Sequence, residues 1–191
     1  MKPNKLSGPA VFFYTTIALT AVLSGIFFFL YYANVAKHSA VLWCGIVVFM
    51  ILYHFGLRIL FGEITKRIKI DYRHPFFLRK PFEARLYRLL RVRLWKDRVL
   101  TFDPASFDLK TRSLSEVATT MAKSEVDHWI NEVISLTSIL FSLVWGCFPA
   151  FFFTALAAMI FDLQFILVQR YNRPIAVRLI DHREKRKLRH F

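Results

Sequence analysis

With 191 residues, 55% of them hydrophobic and 17% aromatic, and with 21 Phe against only 13 acidic side chains, the chain has more apolar surface than a soluble domain of its size would bury. A formal net charge of +14 would point to nucleic acid in a soluble protein. Here the apolar residues come in long uncharged blocks, so the basic residues read as the flanks of membrane spans and a nucleic-acid partner is excluded.

The first block, about Pro9 to Ala33, contains no Asp, Glu, Lys, Arg or His. It exceeds the roughly 7 to 15 apolar residues of a signal peptide, and Tyr31 and Tyr32 sit where an interfacial aromatic belt would lie, so an uncleaved span is expected. The second block, about Ser39 to Phe61, is a span with a soft end, because His54 and Arg58 fall near its exit and Arg58 can snorkel. A basic segment follows. Between Lys66 and Arg98 twelve Lys or Arg residues face only Asp71, Glu83 and Asp97. Within it, PFEARLYRLLRVRLW from Pro81 puts Phe82, Leu86, Leu89 and Leu90 on one helical face and Arg88 and Arg91 on the other, the pattern of a helix lying in the membrane interface, with Arg93 on the wrong side. TFDPASFDLKTRSLSE is turn-rich, and a helix is expected from near Ser115, capped by Ser115 or Thr119.

Ile130 to Val168 is too long for one crossing and suits two. Gly146 and Pro149 supply the punctuation for a tight helical hairpin turning at Trp145 to Pro149, either crossing fully or re-entrant. Eight more basic residues follow from Arg170 to Arg189, and Lys2 and Lys5 precede the first block. The connections around Lys37 and Pro149 are nearly uncharged, so the positive-inside rule orients both termini to the cytoplasm of a multi-pass cell-membrane protein. The expected fold is an all-α polytopic membrane protein of about four transmembrane helices with a basic cytoplasmic interfacial segment. Its parts are residues 1–62 (two spans), 63–123 (interfacial segment), 124–170 (hairpin) and 171–191 (basic tail). Cys44 and Cys147 lie in apolar blocks without a CxxC or a neighbouring His, and read as packing residues.

Chemistry is expected where polar groups meet the membrane surface. In SEVDHWINE, Ser124 to Glu132, a step of about 100° per residue puts Glu125, His128 and Glu132 on one helical face with Trp129 beside them. A carboxylate beside an imidazole suits a general base that activates an alcohol. The same residues also suit a polar helix end facing water, with Glu125 near the helix N-terminus. A carboxylate-bridged metal site would need Glu-x-x-His twice, and one copy exists, so no metal is expected. Asp162, with Gln164, sits deep in the last span; an acid there either serves function or makes a helix–helix hydrogen bond. Gln169 to Pro174, QRYNRP, gathers an amide, two guanidinium groups, a phenol and a helix stop at one membrane exit; Arg170 and Arg173 suit a phosphate or carboxylate.

VQRYNRP at Val168 to Pro174, ExxHW at Glu125 to Trp129 and LWKDRVL at Leu94 to Leu100 resemble, in that order of landmarks, the glycosyl-4,4'-diaponeurosporenoate acyltransferase family over about Arg85 to Leu179. That resemblance implies a small membrane enzyme esterifying the sugar of a glycosylated carotenoid with a fatty acid. The chain departs from the family pattern at Ile175, where Arg usually follows the proline, at Asp162-Leu163-Gln164, which replaces an Asn-x-Pro, and in the lead into ExxHW, which keeps only Lys123.

Both lines together give the expected mechanism. His128, oriented by Glu125, deprotonates a hydroxyl of a glycolipid-like or other lipid-linked acceptor. Arg170, Arg173 and Lys96 hold the donor's phosphates or the oxyanion. Gln169, Tyr171, Asn172, Trp95, Trp129 and Asp162 complete the substrate-binding set. The donor is acyl-CoA or a phospholipid, no further cofactor is expected, membrane lipids are partners, and homo-oligomerisation is left open. The rival reading is a non-catalytic module that binds anionic lipid or scaffolds a lipid-biosynthetic complex through its basic segments.

Overall fold

The computed structural model describes residues 8–99 and 104–189. Lys2 and Lys5, and Leu100 at the end of LWKDRVL, lie outside the described residues. Among these residues the regular structure is all helix, without strands, and the chain divides into two compact units, 1–60 and 61–191.

The first unit is built from α1, Gly8–Tyr32, and the greater part of α2, Ser39–Arg67. Its helices meet through aromatic edges, Phe13 on Phe55 with ring centres 5.1 Å apart and Phe28 on Phe49 at 6.0 Å. Gly45 makes the approach possible, since a Cβ there would lie 3.1 Å from Phe27 Cβ and from the Phe28 ring. Asn34, in the left-handed region at φ 59°, turns the chain between the helices.

In the second unit two short helices, α3 (Glu83–Leu89) and α4 (Val92–Trp95), precede α5 (Leu114–Ser138), α6 (Ser142–Trp145) and α7 (Phe148–Leu188). The single interfacial helix expected from Pro81 is thus two, broken at Arg91, whose backbone is left-handed at φ 48°. The break lets Val92 turn inward, wholly buried, to pack with Tyr87 and Leu167, while Phe82, Leu89, Leu90 and Leu94 stay exposed. The cap of α5 is Ser113 rather than Ser115 or Thr119. Ser113 and Glu116 form a reciprocal capping box, the Ser-x-x-Glu spacing that satisfies two otherwise orphaned N–H groups. Thr119 instead bonds back to the Ser115 carbonyl at 2.9 Å.

The hairpin turns where Gly and Pro mark it. Gly146 has φ 72° and Cys147 φ 53°, and Pro149 lies in the first turn of α7, where its missing N–H removes no helical bond. Cys44, on α2, and Cys147, in the turn before α7, are both exposed rather than in packed interior. Pro174 is not a helix stop: α7 runs through it to Leu188. A proline inside a helix costs roughly 3 kcal/mol. Burial of Ala176 and Ile180 against Leu114 and Ala118 of α5 offsets that cost and carries the helix on.

Among the described residues three helices are long and apolar enough to cross a membrane, Val11–Tyr32 within α1, α2 and α7, and the protein is an all-α membrane protein. The third of the four expected crossings takes a different form. α5 is polar over its first half, and its apolar part continues past Ser138 through a 3-10 turn at Ile139–Phe141 into α6. From Ile130 to Trp145 that is roughly 24 Å of helix, short of a hydrocarbon core of about 30 Å. The first half of α7 turns Phe148, Phe153, Ile160 and Phe161 outward, as a lipid-facing surface requires.

Candidate active site

α5 and α7 pack along each other, and their shared face holds two polar groups about one helical turn apart.

The first centres on Glu125, wholly buried on α5. Its Oε1 accepts from Arg170 Nη1 at 2.6 Å and its Oε2 from Arg173 Nη1. Arg170 also donates through Nε to Glu83 Oε1 on α3 at 2.8 Å, and through Nη2 to the same oxygen. Further guanidinium N–H groups reach backbone carbonyls of the segment before α3. Arg173 Nη2 donates to Phe77 at 2.8 Å, and Arg170 to Phe76 and Leu78 at 3.3 Å each. The Arg173 guanidinium also lies 4.7 Å from the Phe77 ring centre. Two carboxylates thus balance two guanidinium groups, the arrangement that makes burial of four charges tolerable. Tyr87 donates its hydroxyl to Glu83 Oε2 at 2.9 Å. Burial first, and then that carboxylate, push the phenol's pKa well up, so it stays a donor.

The second group centres on His128, which remains partly open to its surroundings. Its Nδ1 lies 2.8 Å from Asp162 Oδ1 on α7, and Asn131 Nδ2 donates to the same oxygen at 3.1 Å. A carboxylate oxygen can only accept, so Nδ1 is the donor in this bond and Nε2 is the ring nitrogen outside it. Phe165 stacks on the imidazole, with ring centres 4.5 Å apart and planes 4° from parallel. Proton and plane are therefore both fixed. A buried acid holding an imidazole by Nδ1 while Nε2 stays available is the relationship a general base needs.

The expected residues converge, with different partners. Glu125 and His128 share the α5 face, but the carboxylate that orients His128 is Asp162, because the two arginines of α7 engage Glu125. Asp162, 1% exposed, is thus part of the site. Arg173, also 1% exposed, is enclosed, and Arg170 is engaged on all three nitrogens, so neither guanidinium is turned toward a ligand's phosphates. Trp129 donates weakly to Glu125 Oε1 at 3.4 Å and is 41% exposed, on the rim. Tyr171 meets Tyr87 edge-on at 5.3 Å. Trp95 donates Nε1 to the Leu90 carbonyl at 2.9 Å and packs, like Tyr171, against the cluster of Tyr87, Val92 and Leu167, and Lys96 pairs with its neighbour Asp97 at 2.6 Å, so both sit with α3 and α4 rather than at His128. Gln169 is buried in α7 and Asn172 half-buried. Among the described residues no group of His, Cys, Asp and Glu could hold a metal.

Asn131, Phe165 and Glu83 were missed by the sequence reading. Asn131 was discoverable, since it follows His128 by three residues and so shares its face. Glu83, one of three acids in the basic segment, carried only that hint.

A family model described as glycosyl-4,4'-diaponeurosporenoate acyltransferase matches residues 73–182, which include every residue of both polar groups. No curated protein and no solved structure matches the chain.

Proposed function

We propose, from the premise that this chain belongs to the glycosyl-4,4'-diaponeurosporenoate acyltransferase family, that it moves a fatty acyl group onto a hydroxyl of a glycolipid or other lipid-linked acceptor, with His128 as the base. The observation that carries this reading is the His128–Asp162 hydrogen bond at 2.8 Å, which leaves Nε2 as the free basic nitrogen of a ring clamped by Phe165. Nε2 takes the acceptor's hydroxyl proton as the oxygen bonds to the acyl carbonyl carbon. The donor's bond to that carbon then breaks, and the imidazolium returns the proton to the leaving group. Asp162 stabilises the imidazolium formed midway, and Asn131 holds Asp162. Glu125, Arg170, Arg173 and Glu83 position these residues by fixing α7 against α5 and α3. A cell-membrane setting with this site on the cytoplasmic side suits an acyl-CoA donor and a membrane-resident acceptor.

The test is reconstitution of the full chain with acyl-CoA and glycolipid acceptors. His128→Ala should lower the turnover rate by roughly 100-fold or more, the usual contribution of a positioned base, with KM little changed. If the variant transfers acyl chains as fast as the unmodified protein, His128 is not the base.

A further inference from the structure

With Arg170 and Arg173 engaged by Glu125 and Glu83, the acyl donor's phosphates need other cations, and α3 and α4 supply them. A cavity of about 540 Å³ opens there, with Arg79, Arg88, Arg91 and Arg93 around it and the rings of Tyr87 and Tyr171 in its wall. Its size is within the range of ligand sites. The wall is built rather than incidental: Tyr87 is buried, Tyr171 packs edge-on against it, and Val92 anchors the α3–α4 junction. Arg91 holds a left-handed backbone, a conformation uncommon for a residue with a Cβ, which the buried Val92 beside it keeps in place. Among the described residues none of the four arginines forms an ion pair with a carboxylate. Arg79 lies 5.9 Å from the Tyr87 ring centre, and Arg88 Nε reaches only the Ala84 carbonyl at 3.4 Å. Four uncompensated guanidinium groups around one cavity make a site for clustered phosphates.

The position of the cavity narrows the donor's chemistry. Between Asp162 and Tyr171 helix α7 rises about 14 Å and turns through roughly half a circumference, so phosphates in the cavity lie far from the carbonyl reacting at His128. In a glycerophospholipid the phosphate is only a glycerol linkage from the ester carbonyls. In a CoA thioester a long pantetheine arm separates them. We infer that the Arg79, Arg88, Arg91 and Arg93 cavity binds the phosphates of a CoA thioester, whose arm carries the acyl group along α7 to His128. The inference rests on the acyl-transfer reading for the identity of the ligand. In the transfer the acyl C–S bond breaks, the ester C–O bond forms, and the hydroxyl's proton ends on the CoA thiol.

The full chain in nanodiscs provides the test, with CoA as probe in calorimetry and with palmitoyl-CoA or phosphatidylglycerol as donor in the transfer assay. Arg88→Gln/Arg91→Gln should weaken CoA binding and raise KM for palmitoyl-CoA by roughly tenfold or more, as loss of charge-assisted bonds does, with kcat within about twofold. Arg85→Gln, a charge loss outside the cavity, should change neither by more than about twofold. The inference is overturned if the double variant binds CoA like the unmodified chain, if Arg85→Gln weakens binding as much, or if phosphatidylglycerol alone supports transfer at full rate. CoA binding lost in the double variant, in a protein that acylates no glycolipid, would leave the cavity assignment standing and refute the acyl-transfer reading.

Discussion

The two polar groups between α5 and α7 use similar residue types to opposite ends. Around Glu125, acids and guanidinium groups satisfy one another and three backbone carbonyls, so the group is closed and its energy goes into holding three helices together. Around His128, Asp162 meets one ring nitrogen and Asn131 in turn donates to Asp162, which leaves the other nitrogen outside this network. The residues that look most reactive in the sequence, the two arginines of QRYNRP, are engaged by carboxylates, and in the proposed reaction the chemistry falls to His128.

That contrast can be broken from either side. The largest expected effect is on the closed group: Glu125→Gln leaves Arg173 buried against a neutral partner and should cost about 3–5 kcal/mol, seen as a steep fall in thermal stability and in yield of folded protein. Asp162→Asn strikes the open group. It should lower kcat by roughly 100-fold, about 2.7 kcal/mol of barrier, because the imidazolium loses its counter-charge and the tautomer is no longer enforced. Its melting temperature should stay close to that of the unmodified protein, and a drop matching Glu125→Gln would erase the distinction between frame and chemistry. Asn131→Ala removes one hydrogen bond to a carboxylate and should cost about 1.5 kcal/mol of barrier, read as a roughly tenfold fall in kcat at unchanged KM.

The smallest effect lies outside both groups. Ser113→Ala removes the α5 cap and should cost about 1 kcal/mol of stability without altering kcat. The Ser113 N–H first, and then its hydroxyl, hold the Glu116 carboxyl below its ordinary range. A lowered pKa in the folded state means stability that is full above the ordinary glutamate range and lost as pH falls through the lowered value. Unfolding midpoints followed down through that acid range should therefore fall less steeply in Ser113→Ala than in the unmodified chain, although the backbone N–H remains; equal slopes would mean the Ser113 hydroxyl does not bond the Glu116 carboxylate.

Much of the fold was legible because membrane burial imposes signals that read locally. Apolar block length marks crossings, and Gly146 with Pro149 marks a turn whatever surrounds it. Helical spacing likewise put Glu125 and His128 on one face. Their partners were not legible, because Asp162 and Arg170 lie far along the chain and the register of α7 against α5 decides which acid meets which base. Pro174 misled for the same reason: locally a proline ends a helix, and only the burial of Ala176 and Ile180 against α5 shows why this one does not. Arg91 is the mirror case, since the periodic run from Pro81 gives no sign that burying Val92 would break it in two.

The sequence by itself determined that this is an all-α membrane protein, where its hairpin turns, and which family its stretch from about Arg85 to Leu179 resembles, because those properties follow from composition, spacing and short motifs. Tertiary structure alone decided that Glu125 meets Arg170 and Arg173 and that Asp162 meets His128. A buried charge takes the partners that packing brings within hydrogen-bond reach, and packing is set by the whole face of a helix rather than by any one motif.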